Sequence, residues 1–244
     1  MRQARKLLPA YGVATVAVMM TERLQRGSVI SAYLKYAVML SLVLLVLAAY
    51  KEKKTGLLPA AAFVFMAAGD FFLVLSPVLP FDIDGSQCLG ALCFVFAYGC
   101  MIRFYTSQQI SLRRTKTAAV LFIVSAGVFL LNILTAAWPL GVPLYLGLVI
   151  FWSVITCMVL LSHAQLRPHI AASRALFASA ILMYLCDSCV AFNYLHPGMP
   201  FLYPLMKDLT WLAYIPGWTL LAVSATGGLL NPSKESGVPD QVLL

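Results

Sequence analysis

The chain has 244 residues, 61% of them hydrophobic and 11% charged, with a formal net charge of +8 and a mean hydropathy of +0.88. Soluble domains carry about 25% charged residues, and they do not repeat apolar runs of roughly 20 residues, each long enough to cross a hydrocarbon core. Composition therefore excludes a soluble enzyme or binding module, and continuous rather than alternating runs exclude a membrane β-barrel. The basic residues are scattered over connections without interleaved aromatics, which argues against nucleic acid as a partner.

In chain order, a basic start (Arg2, Arg5, Lys6) precedes a first apolar run over about residues 7–20, ending at Thr21-Glu22-Arg23. No small-x-small cleavage site follows, so the run is read as a first spanning helix rather than a leader. The second helix covers about residues 29–50 and ends in Lys51-Glu52-Lys53-Lys54. The third covers about residues 57–76 and is stopped by Pro77 and Pro80, before an acidic turn with Asp82 and Asp84. The fourth covers about residues 87–105, with Arg103 near its end, and leads to a connection with Arg113, Arg114 and Lys116. The fifth and sixth cover about residues 117–137 and 143–162. The next connection holds His163, Arg167 and His169, both histidines being expected in solvent. The seventh covers about residues 174–194 and stops at His196-Pro197-Gly198; the eighth covers about residues 203–229.

The fold class expected is all-α, a polytopic transmembrane bundle of about eight helices. One domain covers residues 1–230, and residues 231–244 form a short polar tail. With eight spans, twelve basic residues fall on one side. Only Arg23, Arg26 and Lys207 fall near the other, with Asp82 and Asp84. The positive-inside rule then puts both termini in the cytoplasm. A bacterial inner membrane is the expected location, ahead of the endoplasmic reticulum.

Two of the apolar runs hold a carboxylate in their middle: Asp70 within residues 60–75 and Asp187 within residues 178–192. Each costs roughly 2.5–3.5 kcal/mol at the centre of a membrane helix, so an intramembrane acid is a functional-site hypothesis by default. Both lie on the third helix of a set of four. PVLPF after Asp70 is echoed by PGMPF after Asp187, which suggests two four-helix halves about an axis along the membrane normal. Such an axis brings the acids face to face at similar depth, into one shared cavity.

Polar residues at matching depth supply the surroundings. Lys35 either pairs with Asp70 or snorkels to the surface. Tyr184 lies one turn before Asp187 on the same face, and Ser188 follows it. Tyr98, Asn132 and Tyr145 are further cavity candidates. Trp211, Tyr214 and Trp218 share one face of the eighth helix, where core packing or an interfacial belt is the better reading for Trp211. Cys88, Cys93, Cys100, Cys157, Cys186 and Cys189 lie in or beside apolar runs and read as packing residues. They form neither a disulfide framework nor a metal site.

Two carboxylates in a dry cavity separate in function. One stays protonated and the other ionised, a general acid and a general base. That pair suits cleavage at an acetal-like or enol-ether carbon through an oxocarbenium-like transition state, with water as nucleophile. No Ser-His-Asp set, HExxH or Gly-rich phosphate loop is present. The same pair also suits a proton-coupled transporter.

The order of Lys35, Gly69-Asp70, Gly90 with Phe94, Tyr145, Asp187-Ser188, Tyr214 and Ser224 resembles the YhhN-like lysoplasmalogenase family of eight-helix membrane proteins. The resemblance implies hydrolysis of the vinyl ether bond of a lysoplasmalogen, without metal or cofactor. The products are a fatty aldehyde and a glycerophospho-alcohol. A lysophospholipid and membrane lipids are the implied partners. The resemblance makes Asp70 and Asp187 the catalytic carboxylates. The apolar setting of Asp187 favours it as the acid, and Lys35 beside Asp70 favours that residue as the base. Where the family pattern has His and Tyr in the fourth helix, this chain has Tyr98 and Met101. Cys186 stands for a Ser, and Ile215 and Trp218 stand for a Tyr and a Gln. These departures leave a non-catalytic lipid-binding protein as a further alternative.

Overall fold

In a computed structural model, the described residues form eight α-helices: α1 (Arg2–Leu24), α2 (Val29–Lys51), α3 (Leu57–Asp70), α4 (Ser86–Thr106), α5 (Thr115–Leu134), α6 (Val142–Ala164), α7 (Ala171–Leu195) and α8 (Tyr203–Thr226). The structure describes residues 2–25, 28–80, 83–107, 115–136, 141–166, 171–196, 199 and 201–226, and among these there is no strand. The tail from residue 231, His169, and the Pro197 and Pro200 of the repeated motif lie outside the described residues.

Among the described residues, six helical segments are long and apolar enough to cross a membrane: residues 29–51, 57–78, 86–106, 116–134, 144–164 and 173–195. This is a multi-pass membrane protein. The expected eight spans meet six on that measure, because α1 and α8 are more polar. The reason for α8 is its position. It packs against α7, α1 and α2, so protein rather than lipid surrounds it and residues such as Thr219 and Ser224 are buried there. By contrast α5 is peripheral, with Val120, Phe122, Ile123, Val124, Leu130, Leu131 and Leu134 all exposed. In a membrane protein these are lipid-facing positions.

Two close approaches of backbone set the centre of the bundle. A Cβ on Gly69 would fall 2.7 Å from the Phe94 ring, and one on Gly90 would fall 2.5 Å from Leu73 Cγ. Glycines at both positions let α3 and α4 touch, as small residues do between membrane helices. Gly217 plays a milder part between α8 and α7, where a Cβ would stand 3.3 Å from Leu182 Cβ. There Ser179 Oγ donates to the Gly217 carbonyl at 2.7 Å.

The third helix does not run regularly to Ser76. The α-helix ends at Asp70, and Phe71–Leu75 form a wider π turn followed by a tight 3-10 turn over Ser76–Val78. Ser76 keeps helical geometry before Pro77, and the chain turns extended only at Leu79 (φ −80°, ψ 155°), the residue before Pro80, where proline disfavours α geometry. Single π turns inside helices recur at functional sites, and this one starts immediately after the buried acid.

Candidate functional site: two acids and two tyrosines

Asp70 is 3% exposed. Its Oδ1 accepts a hydrogen bond from the Tyr214 hydroxyl of α8 at 2.7 Å. Asp187 is partly buried, and its Oδ2 accepts from the Tyr98 hydroxyl of α4 at 2.6 Å. The Phe94 ring lies between the two tyrosines, 6.1 Å from each by ring centroids. The acids are thus joined through a chain of three aromatic rings.

The arrangement is reciprocal. The acid on the third helix of each half takes its donor from the fourth helix of the other half. This supports the two-half reading with side-chain geometry, independently of the proline motif.

A cavity of about 50 Å³ lies between α5, α6 and α7 and reaches Asp187, not Asp70. It has room for water, which needs at least about 10–15 Å³. Asp70 is buried, and among the described residues its Oδ2 has no hydrogen-bond partner.

The cavity takes in three of the expected residues besides Asp187, namely Asn132, Tyr184 and Ser188. Asn132 lines it; its Nδ2 donates to the Val128 carbonyl at 2.9 Å, and its buried Oδ1 has no hydrogen-bond partner among the described residues. Tyr184 also lines it, and its hydroxyl donates to the Ser125 carbonyl at 3.0 Å. Trp152 Nε1 donates to Ser125 Oγ at 2.9 Å, and that Oγ lies 2.7 Å from Thr156 Oγ1. This polar knot ties the otherwise lipid-facing α5 to α6 and α7.

Other expected residues stand elsewhere. Tyr145 is 44% exposed and does not line the cavity, because its place on α6 faces outward. Trp218 is fully buried and packs edge-on against Phe63 at 5.0 Å and Tyr214 at 6.4 Å. It supports Tyr214 from behind. His163 is not a solvated histidine; it is 3% exposed and lies against Phe177. Cys186 and Cys189 are buried free thiols.

Lys35 neither pairs with Asp70 nor snorkels. It is buried and ion-paired with Glu22 at the end of α1, with its ammonium 4.6 Å from the Trp211 ring centroid. Lys207 pairs with the same carboxylate, and Ser31 Oγ donates to it at 2.6 Å. The physical reason is proximity along the fold. Glu22 is a buried anion within reach of Lys35, and a buried charge requires a partner. Sequence reading took Glu22 as the polar end of a helix. An acid flanking a span whose neighbour carries an inward lysine was the signal available.

A family model described as the YhhN family matches residues 30–225. The chain belongs to the YhhN family. Comparison with curated proteins and with solved structures gives no match. The YhhN match spans α2 to α8 and so contains both acids, both tyrosines and the Gly69–Gly90 contact. Tyr98, at a position where the family pattern was read as His, is here the hydroxyl donor that holds Asp187.

Proposed function

We propose that this YhhN-family protein is a membrane ether hydrolase that cleaves the vinyl ether bond of a lysoplasmalogen. The products are a fatty aldehyde and a glycerophospho-alcohol. The observation that carries this reading is the reciprocal pair of carboxylates, each intramembrane and each held by a buried tyrosine hydroxyl.

The geometry favours roles opposite to those expected from sequence. The reason to make Asp70 the base was Lys35, and Lys35 belongs to Glu22. Asp187 is the acid residue that lines a cavity able to hold water, so it takes the proton of the attacking water. Asp70 then delivers a proton to the β-carbon of the alkenyl chain. Protonation leaves an oxocarbenium at the α-carbon, and water adds there as Asp187 accepts its proton. The hemiacetal collapses to aldehyde and alcohol. In this reading the alkenyl chain reaches Asp70 beside the π turn, where the regular helix is already broken.

The test is aldehyde release from lysoplasmalogen by purified protein. Release that is abolished in both Asp70→Asn and Asp187→Asn supports the reading. Release that persists in either variant removes that acid from the chemistry. No release from the wild type overturns the hydrolase, and proton-driven uptake into liposomes then assigns a carrier.

A further inference from the structure

The Glu22 cluster sits at the end of the bundle where α1 ends and α2 and α8 begin. One buried carboxylate there faces two ammonium groups, Lys35 and Lys207. The neighbouring Asp208 is taken by Arg23, whose Nε donates to it at 3.0 Å. Among the described residues no second carboxylate pairs with either lysine, so the cluster keeps one positive charge in excess. The two lysines differ in access. The Lys35 side chain is 8% exposed and the Lys207 side chain 29%. Lys207 also lies 5.5 Å from the Tyr203 ring centroid. The excess charge is therefore presented outward at Lys207, with Lys35 and Glu22 as its buried base.

We propose that this cluster binds the phosphate of a lysophospholipid headgroup, with Lys207 as the contacting ammonium. The proposal rests on the hydrolase reading for its choice of lipid. Its support is a match of lengths along α8. Lys207 and Tyr214 are two turns apart, a rise of about 10 Å, and Tyr214 holds Asp70. In a lysoplasmalogen, seven bonds separate the phosphorus from the β-carbon of the alkenyl chain, an extended span of about 8 Å at the per-bond reach of a covalent chain. A headgroup phosphate at Lys207 thus sets the reacting bond at the depth of Asp70. Trp211, between the two on the same face, packs against Tyr214 with ring centroids 5.7 Å apart and links the cluster to the site. A phosphate suits a lysine as a point charge, and a free phosphate would offer the same chemistry.

The test uses lipids that cannot be cleaved, so that it stands apart from turnover. Full-length protein in detergent is titrated with 1-O-hexadecyl-glycero-3-phosphoethanolamine and with 1-O-hexadecylglycerol, and binding is read by intrinsic tryptophan fluorescence. The expected result is about tenfold tighter binding of the phosphate-bearing lipid. That preference should disappear in Lys207→Ala and remain in Lys207→Arg, which keeps the charge. Equal binding of the two lipids by the wild type, or a preference that survives Lys207→Ala, overturns the proposal. Inorganic phosphate is added as a competitor. Displacement only at millimolar concentrations fits a headgroup site, whereas displacement at the lipid's own concentration assigns the cluster to free anion and overturns the headgroup proposal. Absence of aldehyde release in the separate assay defeats the hydrolase reading but leaves these binding outcomes unchanged.

Discussion

Tyr98 of α4 reaches the Asp187 carboxylate of α7 at 2.6 Å, and its counterpart across the bundle, Tyr214 of α8, reaches Asp70 of α3 at 2.7 Å. Each acid is thereby held by the opposite half of the chain. The two donors are the polar groups that touch the carboxylates directly, so they are the natural first targets for mutation.

Removing one hydroxyl tests this exchange. Tyr98→Phe deletes a hydrogen bond to the ionised Asp187, a contribution of about 1.5–3 kcal/mol, and Tyr214→Phe deletes one to the protonated Asp70, about 0.5–1.5 kcal/mol. Aldehyde release should fall roughly ten- to hundredfold in the first and roughly two- to tenfold in the second, with the protein still folded. A large effect in one variant and none in the other would break the proposed equivalence of the halves.

The glycine contact between α3 and α4 predicts a stability effect. Gly69→Ala and Gly90→Ala should each lower the thermal midpoint in detergent, by about 1–3 kcal/mol of overpacking. For Gly90 the obstacle is the Leu73 side chain, so adding Leu73→Ala should recover much of the loss. Gly217→Ala, with its nearest contact at 3.3 Å, should be milder than either.

The cavity beside Asp187 can be filled from α7. Ala191 lines it, and Ala191→Val should occupy part of the space without touching either acid. The expected outcome is slower aldehyde release with an unchanged or raised thermal midpoint. Normal turnover in that variant would remove the cavity from the reaction.

The buried ion cluster gives a contrast between two acids. Glu22→Ala leaves Lys35 sealed without its counter-ion, and losing one partner of a buried pair costs about 3–5 kcal/mol. Asp208→Ala breaks only the pair with the exposed Arg23, whose side chain is 64% accessible, and should change thermal stability far less. Unfolding in detergent, followed by circular dichroism, compares the two.

The primary structure alone determined the helical membrane class, the approximate extent of most helices, and the two acids. Each of these follows from local properties. A continuous apolar run dictates a span, and a carboxylate inside it stands out because it is expensive there. The Gly69 and Gly90-x3-Phe94 motifs were also legible as pattern, but not as the single contact they make together. Only the tertiary structure decided which polar groups meet. Lys35 and Asp70 sit at compatible depths on neighbouring helices, yet Lys35 turns to Glu22, a residue that looked like a helix end. Tyr145 has the right depth and the wrong azimuth. Asp70 and Asp187 are alike in sequence, but one is 3% exposed and tied to α8 and the other borders a cavity walled by α5, α6 and α7. Depth in a membrane can be counted along one helix, whereas the direction a side chain faces depends on how every helix is rotated against its neighbours.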